Sequence, residues 1–421
     1  MRTRLFRTGS AAACLTALFA LTGCASTLGG WAGPAEVDVR TLDVGPYEVR
    51  PLDIHVDQRP GFTYAPYAAG MRMADYVITP DQVDPHLTKY AKSGSFTPGS
   101  PPDALGGATA MGETLKRNHT VYGFTTAGST ADAGWKNSGW PEPSTTSKSD
   151  ATTLAITVLA YNDADSATRA AGDIYTTDFD TFKDKNKAVE LTKHTSAQAH
   201  WQPGGHALRS FLAHGSYVVS ILAITPGTDL DALTTLTEQA FDKELPVLDG
   251  LETVTDEQTV QLPWDPDYLL SRALNTMQTG RPQYEDDNGI FGARGFLHYL
   301  PDRKIGAKNV ADLQGEGFAK TSDALVVRTA DAAAAKRAVT GRILLRGAAG
   351  APADSVPKVP DSACVENTAK DPIYYHEAPK RYVCLVSYRN YVGYVTSNQL
   401  VDVHQRAAAQ YALFANSQWL P

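Results

Sequence analysis

An α+β fold made of two related halves is predicted by three features of the 421-residue sequence. Apolar β-type runs are followed by alanine-spaced helical segments, and this happens twice. Paired strands are joined by turns too short for anything but antiparallel pairing. The apolar share of 43% suits packed cores. In the first copy, Leu154 to Tyr161 reads as a strand, Asn162-Asp163 as a helix start, and Ala164, Ala167, Ala171 and Ile174 recur at helical spacing. Strands over Ala207 to Ala213 and Tyr217 to Thr225 follow, then a helix from Asp229 with Leu233, Leu236, Ala240 and Phe241 inward. The second copy repeats this with Ala324 to Arg328, a cap at Asp331, and Ala332, Ala335, Val339 and Ile343. After it come Tyr382 to Tyr388, Tyr391 to Thr396, and a helix carrying Ala408, Tyr411, Ala412 and Ala415. A slide of about 169 residues superposes Asn162 on Asp331. The order β-α-β-β-α therefore occurs twice, each sheet expected to carry helices on one face.

Each copy has a leading piece. Ala69, Met73, Tyr76 and Val77 fit a short helix before Pro80, and Pro266 opens another with Leu270, Ala273, Leu274 and Met277 on one side. Ser93 to Asp103 and Thr125 to Asp150 are rich in Gly, Pro, Ser and Thr and read as loops. The expected organisation is a leader over 1–23, a tether over 24–36, and α+β domains over 37–255 and 256–421.

The N-terminus addresses the chain. Arg2, Arg4 and Arg7 precede an apolar core from Ala11 to Leu21, too short to span a bilayer and suited to an export signal. Leu21-Thr22-Gly23-Cys24 matches a bacterial lipobox, which makes Cys24 the lipidation site. Diacylglyceryl and acyl (palmitate-type) chains together anchor stably, since each buried methylene contributes about 0.8 kcal/mol. Residues 25–34 form a tether reaching roughly 30 Å when extended. Cys14 leaves with the leader and Cys24 is acylated. Cys364 and Cys384 remain, in an oxidising compartment that favours their disulfide. Removal of three arginines takes the charge of −8 further negative, which excludes non-specific nucleic-acid binding as a default.

Candidate chemistry is sparse. His194, His200, His206 and His214 cluster in sequence, and the first three could meet around Pro203-Gly204-Gly205 as a metal site, although capping or solvated histidines fit as well. Ser355-Val-Pro-Lys358 and Lys92-Ser-Gly94 match acyl-enzyme spacing, but the prolines argue for an extended loop. Glu285-Asp-Asp-Asn288 reads as a solvated turn rather than a calcium loop. Trp135, Trp140, Trp201 and Trp264 lie beside turns or in loops, where tryptophans contact sugars or partner proteins.

The lipobox, Arg72-Met-Ala-Asp-Tyr-Val-Ile-Thr-Pro80 with Val83-Asp-Pro85, and Tyr284 through His298 resemble an actinobacterial cell-envelope lipoprotein family, a domain of unknown function. The resemblance implies an envelope role and no catalytic residues or cofactor. The pattern is also similar to the extracellular sensor domains of some mycobacterial Ser/Thr kinases, a fold-level analogy. The expectation is a membrane-anchored, extracytoplasmic protein that binds a ligand between its halves without catalysis. The alternatives are a structural protein acting through aromatic loops and an envelope hydrolase. Partners are the membrane and a small molecule, lipid, glycan or envelope protein.

Overall fold

β-Branched runs and alanine-spaced segments build two seven-stranded antiparallel sheets in a computed structural model. It describes residues 37–51, 59–107, 109–131, 150–276, 288–344, 350–368 and 379–421. Cys24, Trp135, Trp140 and most of the 285–288 turn lie outside these. Asp38–Pro421 forms one compact unit.

The first half runs α1 (Ala65–Met73), β1 (Lys89–Phe96), α2 (Ala110–Arg117), β2 (Tyr122–Ser129), β3 (Thr153–Ala160), α3 (Ala164–Thr181), β4 (Lys187–Val189), β5 (Gln198–Trp201), β6 (Ala207–His214), β7 (Tyr217–Ile224) and α4 (Leu230–Leu248). A short helix, α5 (Asp256–Thr259), follows. The second half runs β8 (Gly289–Gly292), α6 (Ala293–Leu297), α7 (Arg303–Leu313), β9 (Gly315–Thr321), β10 (Ala324–Thr329), α8 (Ala332–Thr340), β11 (Ala351–Ala353), β12 (Ser362–Glu366), β13 (Tyr382–Tyr388), β14 (Tyr391–Ser397) and α9 (Leu400–Asn416).

Strand order demonstrates the duplication. The first sheet is β1-β2-β3-β7-β6-β5-β4 and the second, read in the same sense, is β8-β9-β10-β14-β13-β12-β11. Local details agree. Asp163 caps α3 by accepting from the Ser166 amide, and Asp331 caps α8 by accepting from Ala334, both at 2.7 Å. Tyr161 donates to the Ser216 carbonyl as Thr329 does to Asn390. These pairs put the slide at one residue less than the sequence suggested, with Asp163 and not Asn162 on Asp331. The shorter slide superposes Ala167, Ala170 and Ala171 on Ala335, Ala338 and Val339, all buried.

Two short strands per half, β4–β5 and β11–β12, were not anticipated, nor were the leading pairs β1–β2 and β8–β9. Ser93–Phe96 and Thr125–Ser129 are strand, not loop. Helices are divided between both faces of each sheet. In β7, Val218 joins Ala167 and Ile174 of α3 in one core, while neighbouring Tyr217 points to the Leu251 carbonyl beyond α4. In β14, Tyr394 donates to Ile343 beyond α8, while a Cβ on neighbouring Gly393 would sit 2.4 Å from Gln410 of α9. Cover on both faces explains why every residue of β3 and β7 is buried. The helix expected after Pro266 shortens to one 3-10 turn, Leu270–Arg272. Asp265 is the cause: its carboxylate accepts from the Leu270 and Ser271 amides and the Ser271 hydroxyl, which tightens the turn.

The halves are joined through buried and partly buried polar groups. Asp75, after α1, accepts from the Gly292 and Gly295 amides at 2.8 Å each. A Cβ at Gly292 would lie 2.5 Å from that carboxylate, so only glycine allows the approach. His298 bonds Thr126 Oγ1 of β2 through Nδ1 and the Ala74 and Val77 carbonyls through Nε2. The fully buried Arg303 donates to the Ala127 carbonyl at 2.8 Å and to Thr126 Oγ1 at 3.3 Å. Residues 38–51, expected with the N-terminal half, lie on α9: Tyr47 donates to Asp402 at 2.6 Å and Asn416 to the Val49 carbonyl at 2.8 Å.

Two buried groups at this joint titrate in opposite senses. Burial and the Arg303 charge push the His298 ring down to about 3. It stays neutral, and its share of stability is lost as pH falls from about 6.5 toward that value. Burial pushes the Glu244 carboxyl up to about 8, although its Oε2 accepts from the Ile78 amide at 2.9 Å; its Oε1 has no partner. Between about 4.5 and that value the folded state holds more protons at Glu244 than the unfolded chain, so stability falls as pH rises. Glu244→Gln is expected to flatten that slope and to stabilise the protein at pH 8.5 by on the order of 2 kcal/mol. Urea denaturation at pH 5.5 and 8.5 checks this, and equal gains at both values would refute it.

Candidate functional site

The four clustered histidines each take a separate partner. His194 bonds Asp242 at 3.0 Å, His206 the Thr225 carbonyl at 3.1 Å and His214 Asp249 at 2.6 Å. His194, His200 and His206 do not converge, so the metal alternative fails geometrically. Among the described residues, donor atoms gather closely at Cys364, Cys384 and His404, but the two cysteines are bonded to each other as a cross-strand disulfide, as expected.

His200 is the exception among the histidines, because its partner is buried with it. Asp178, near the end of α3, accepts from His200 Nε2 of β5 at 2.8 Å. The Gly107 amide donates to the same carboxylate at 2.8 Å, and Arg209 of β6 lies 3.5 Å away. Burial pushes the Asp178 carboxyl up, but the Arg209 charge and the bonds from His200 and Gly107 outweigh it and hold it below its ordinary value. Gly106 and Gly107 both take φ +69°, and a Cβ on Gly106 would overlap the carboxylate at 1.9 Å. The residues just after the expected Ser93–Asp103 loop are thus bent onto Asp178, with Arg209 donating to the Ala104 carbonyl at 3.2 Å.

A cavity of 810 Å³ lies over this cluster, bounded by the 99–107 segment, the start of α2, the end of α3 and β5. His200, Trp201, Phe182 and Arg209 line it. His200 is only 4% exposed and its Nδ1 has no hydrogen-bond partner, an uncommon state for a buried polar atom. Among the described residues no hydroxyl bonds that nitrogen. Ser355 and Lys358 lie in an irregular segment, and Lys92 and Ser93 lie within β1.

The second half shows what the fold alone requires. Both sheets turn the corner between equivalent strands in two residues, with Gly215 and Arg389 in the left-handed region. That register superposes Ser210 on Cys384 and Ala199 on Cys364. The pair His200–Arg209 then falls on Val365–Val383, both buried. α3 has 18 residues against 9 in α8, so Asp178 and Phe182 lie beyond the length that the two helices share. The architecture closes without the polar cluster.

A second cleft, of 590 Å³, lies between the halves, where a ligand was expected. Apolar residues such as Leu251, Leu262 and Ile290 line it; of its charges Glu252 is exposed, and the others are engaged by the fold. Asp75 is bound to Gly292 and Gly295, Arg72 to the Pro263 carbonyl, and Asp267 and Glu316 face Arg328. Of the other tryptophans, Trp264 is 1% exposed and packs edge-on against Tyr64, which leaves no face for a partner. Trp201 is half-buried at the first cavity. Trp419, not singled out by the sequence because it lies near a helix end rather than in a Gly-rich loop, is 61% exposed.

Residues 56–264 match the N-terminal domain of unknown function DUF7373, and residues 269–417 match its C-terminal counterpart. The chain belongs to the DUF7373 family. The boundary between the two DUF7373 domains falls at the Asp265 turn. No curated protein matches the chain. The extracellular domain of PknH from Mycobacterium tuberculosis is similar in structure over 41% of this DUF7373 chain and 91% of that domain, with 13% identity and a TM-score of 0.26, which carries no argument.

Removing the carboxylate strands its three partners. Asp178→Ala is expected to lower the unfolding free energy by about 3 kcal/mol in urea denaturation. Asp178→Asn is expected to remove the stability that wild type loses as pH falls below about 4, where the carboxylate protonates. An unchanged acid limb in Asp178→Asn would contradict the pairing.

Proposed function

We propose that this DUF7373 protein is a lipid-anchored, extracytoplasmic binding protein whose ligand occupies the cavity beside Asp178 and His200. The anchor reading rests on the arginine-led apolar leader and the lipobox ending at Cys24. A formed disulfide suits an oxidising compartment. Among the described residues no helix is long and apolar enough to cross a membrane, so attachment falls to the acyl chains.

The single observation behind the binding reading is His200: a buried ring tied to a buried carboxylate, with one nitrogen unfilled, at the wall of a cavity. Polar groups of this kind cost stability unless something fills them. The equivalent position of the second half is apolar, which removes a purely architectural reason for the cluster. The cavity volume falls in the range of small-molecule sites.

Two measurements test the proposal. Cys24→Ser is expected to move the chain from the detergent phase to the aqueous phase in a phase partition, with the diacylglyceryl mass lost from the N-terminal peptide. Native mass spectrometry of the mature wild type, loaded with an envelope extract, is expected to retain a small molecule that Trp201→Ala releases. Retention that survives Trp201→Ala and His200→Ala would move the site elsewhere.

A further inference from the structure

We infer that the cavity over β5 and β6 takes a neutral saccharide, an assignment that rests on the binding reading above and narrows it to one chemical class.

Charge is the first argument. Both cations in the wall are engaged: Arg209 with Asp178 and the Ala104 carbonyl, and Lys116 with Glu113 at 3.0 Å. With each cation matched by a carboxylate, the wall offers an anionic ligand no net positive charge. Asp103 stands exposed at the rim, away from the buried cluster.

Shape and surface chemistry are the second. Phe182, 55% exposed, and the half-buried Trp201 put two aromatic rings on a wall that otherwise mixes glycine and proline backbone with polar side chains. A sugar ring matches that combination, with C–H faces that pack on aromatic rings and a rim of hydroxyls that need donors and acceptors. His200 carries one: its Nε2 is held by Asp178 and its Nδ1 has no hydrogen-bond partner among the described residues, a place that a sugar hydroxyl would fill on binding. Asn186 donates its amide to the Phe179 carbonyl, which leaves its side-chain oxygen to accept another. At 810 Å³ the cavity holds more than one sugar ring.

The third argument is the sister half. Its Val365–Val383 pair and short α8 preserve the sheet with valines where the first half has His200 and Arg209, and with Glu366 where it has Trp201. The lining is therefore an addition to the unit and not a part of its framework.

The test is a glycan array of neutral hexose, pentose and N-acetylhexosamine oligomers probed with the labelled full mature chain. Hits are then titrated by tryptophan fluorescence. At least one neutral oligosaccharide is expected to be retained. Trp201→Ala and Phe182→Ala are each expected to weaken it about tenfold, Trp201→Phe to restore most of the affinity, and Trp419→Ala to change nothing. Unfolding transitions of the variants establish that each is folded. An empty array with folded wild type, or binding indifferent to both alanine variants, overturns the saccharide assignment. If the array is empty while native mass spectrometry finds a non-carbohydrate ligand released by Trp201→Ala, the cavity stands as the site and only the ligand class falls. If neither method finds a ligand, both readings fall.

Discussion

One buried carboxylate organises the N-terminal half. Asp178 collects the amide of Gly107, the ring of His200 and the guanidinium of Arg209, and so ties a loop, two strands and the end of a long helix to one point. A carboxylate in that setting is held charged only while all three partners surround it. The loop is in turn limited to glycine at two successive left-handed positions. The cavity is the space left when these four pieces are pulled together, and its aromatic rim, Phe182 and Trp201, comes from residues close in sequence to two of the same ligands.

The duplicated partner gives that arrangement its meaning. Two copies with the same strand order, the same helix cap and the same two-residue corner have diverged along one pair of strands. One copy carries His200–Arg209 over a buried carboxylate; the other carries Val365–Val383 beside the Cys364–Cys384 disulfide. The second copy invests in rigidity where the first invests in a polar cavity. The joint between them is built for permanence: the buried His298 and Arg303 and the partly buried Asp75 bond across the junction. Two sequence stretches that resembled a family contribute to it, 72–80 and the described part of the second, 288–298, so what these residues encode is the coupling of the halves.

Legibility in the sequence followed the physics of each signal. The repeat was readable because Asp163 and Asp331 are true caps and the alanines after them face a sheet; the slide was off by one because Asn162 is itself a plausible cap. The short strands β4, β5, β11 and β12 carry three to five residues each, too few for a period to register. Helices on both faces were hidden because burial on two sides erases the alternation that marks a one-sided sheet. The disulfide followed from compartment and elimination. His200 and Trp201 were visible as residue types, but their partner Asp178 lies 22 residues earlier on a helix that reads as ordinary and amphipathic. Nothing local marks a carboxylate that tertiary contacts alone will bury.

The most direct measurement of the central claim is hydrogen–deuterium exchange on the mature protein with and without an envelope extract. The account predicts added protection confined to residues 99–116, the end of α3, and β5, with β12 and β13 of the sister half unchanged. Protection centred on the cleft between the halves, or spread equally over the equivalent strands of both copies, would contradict it.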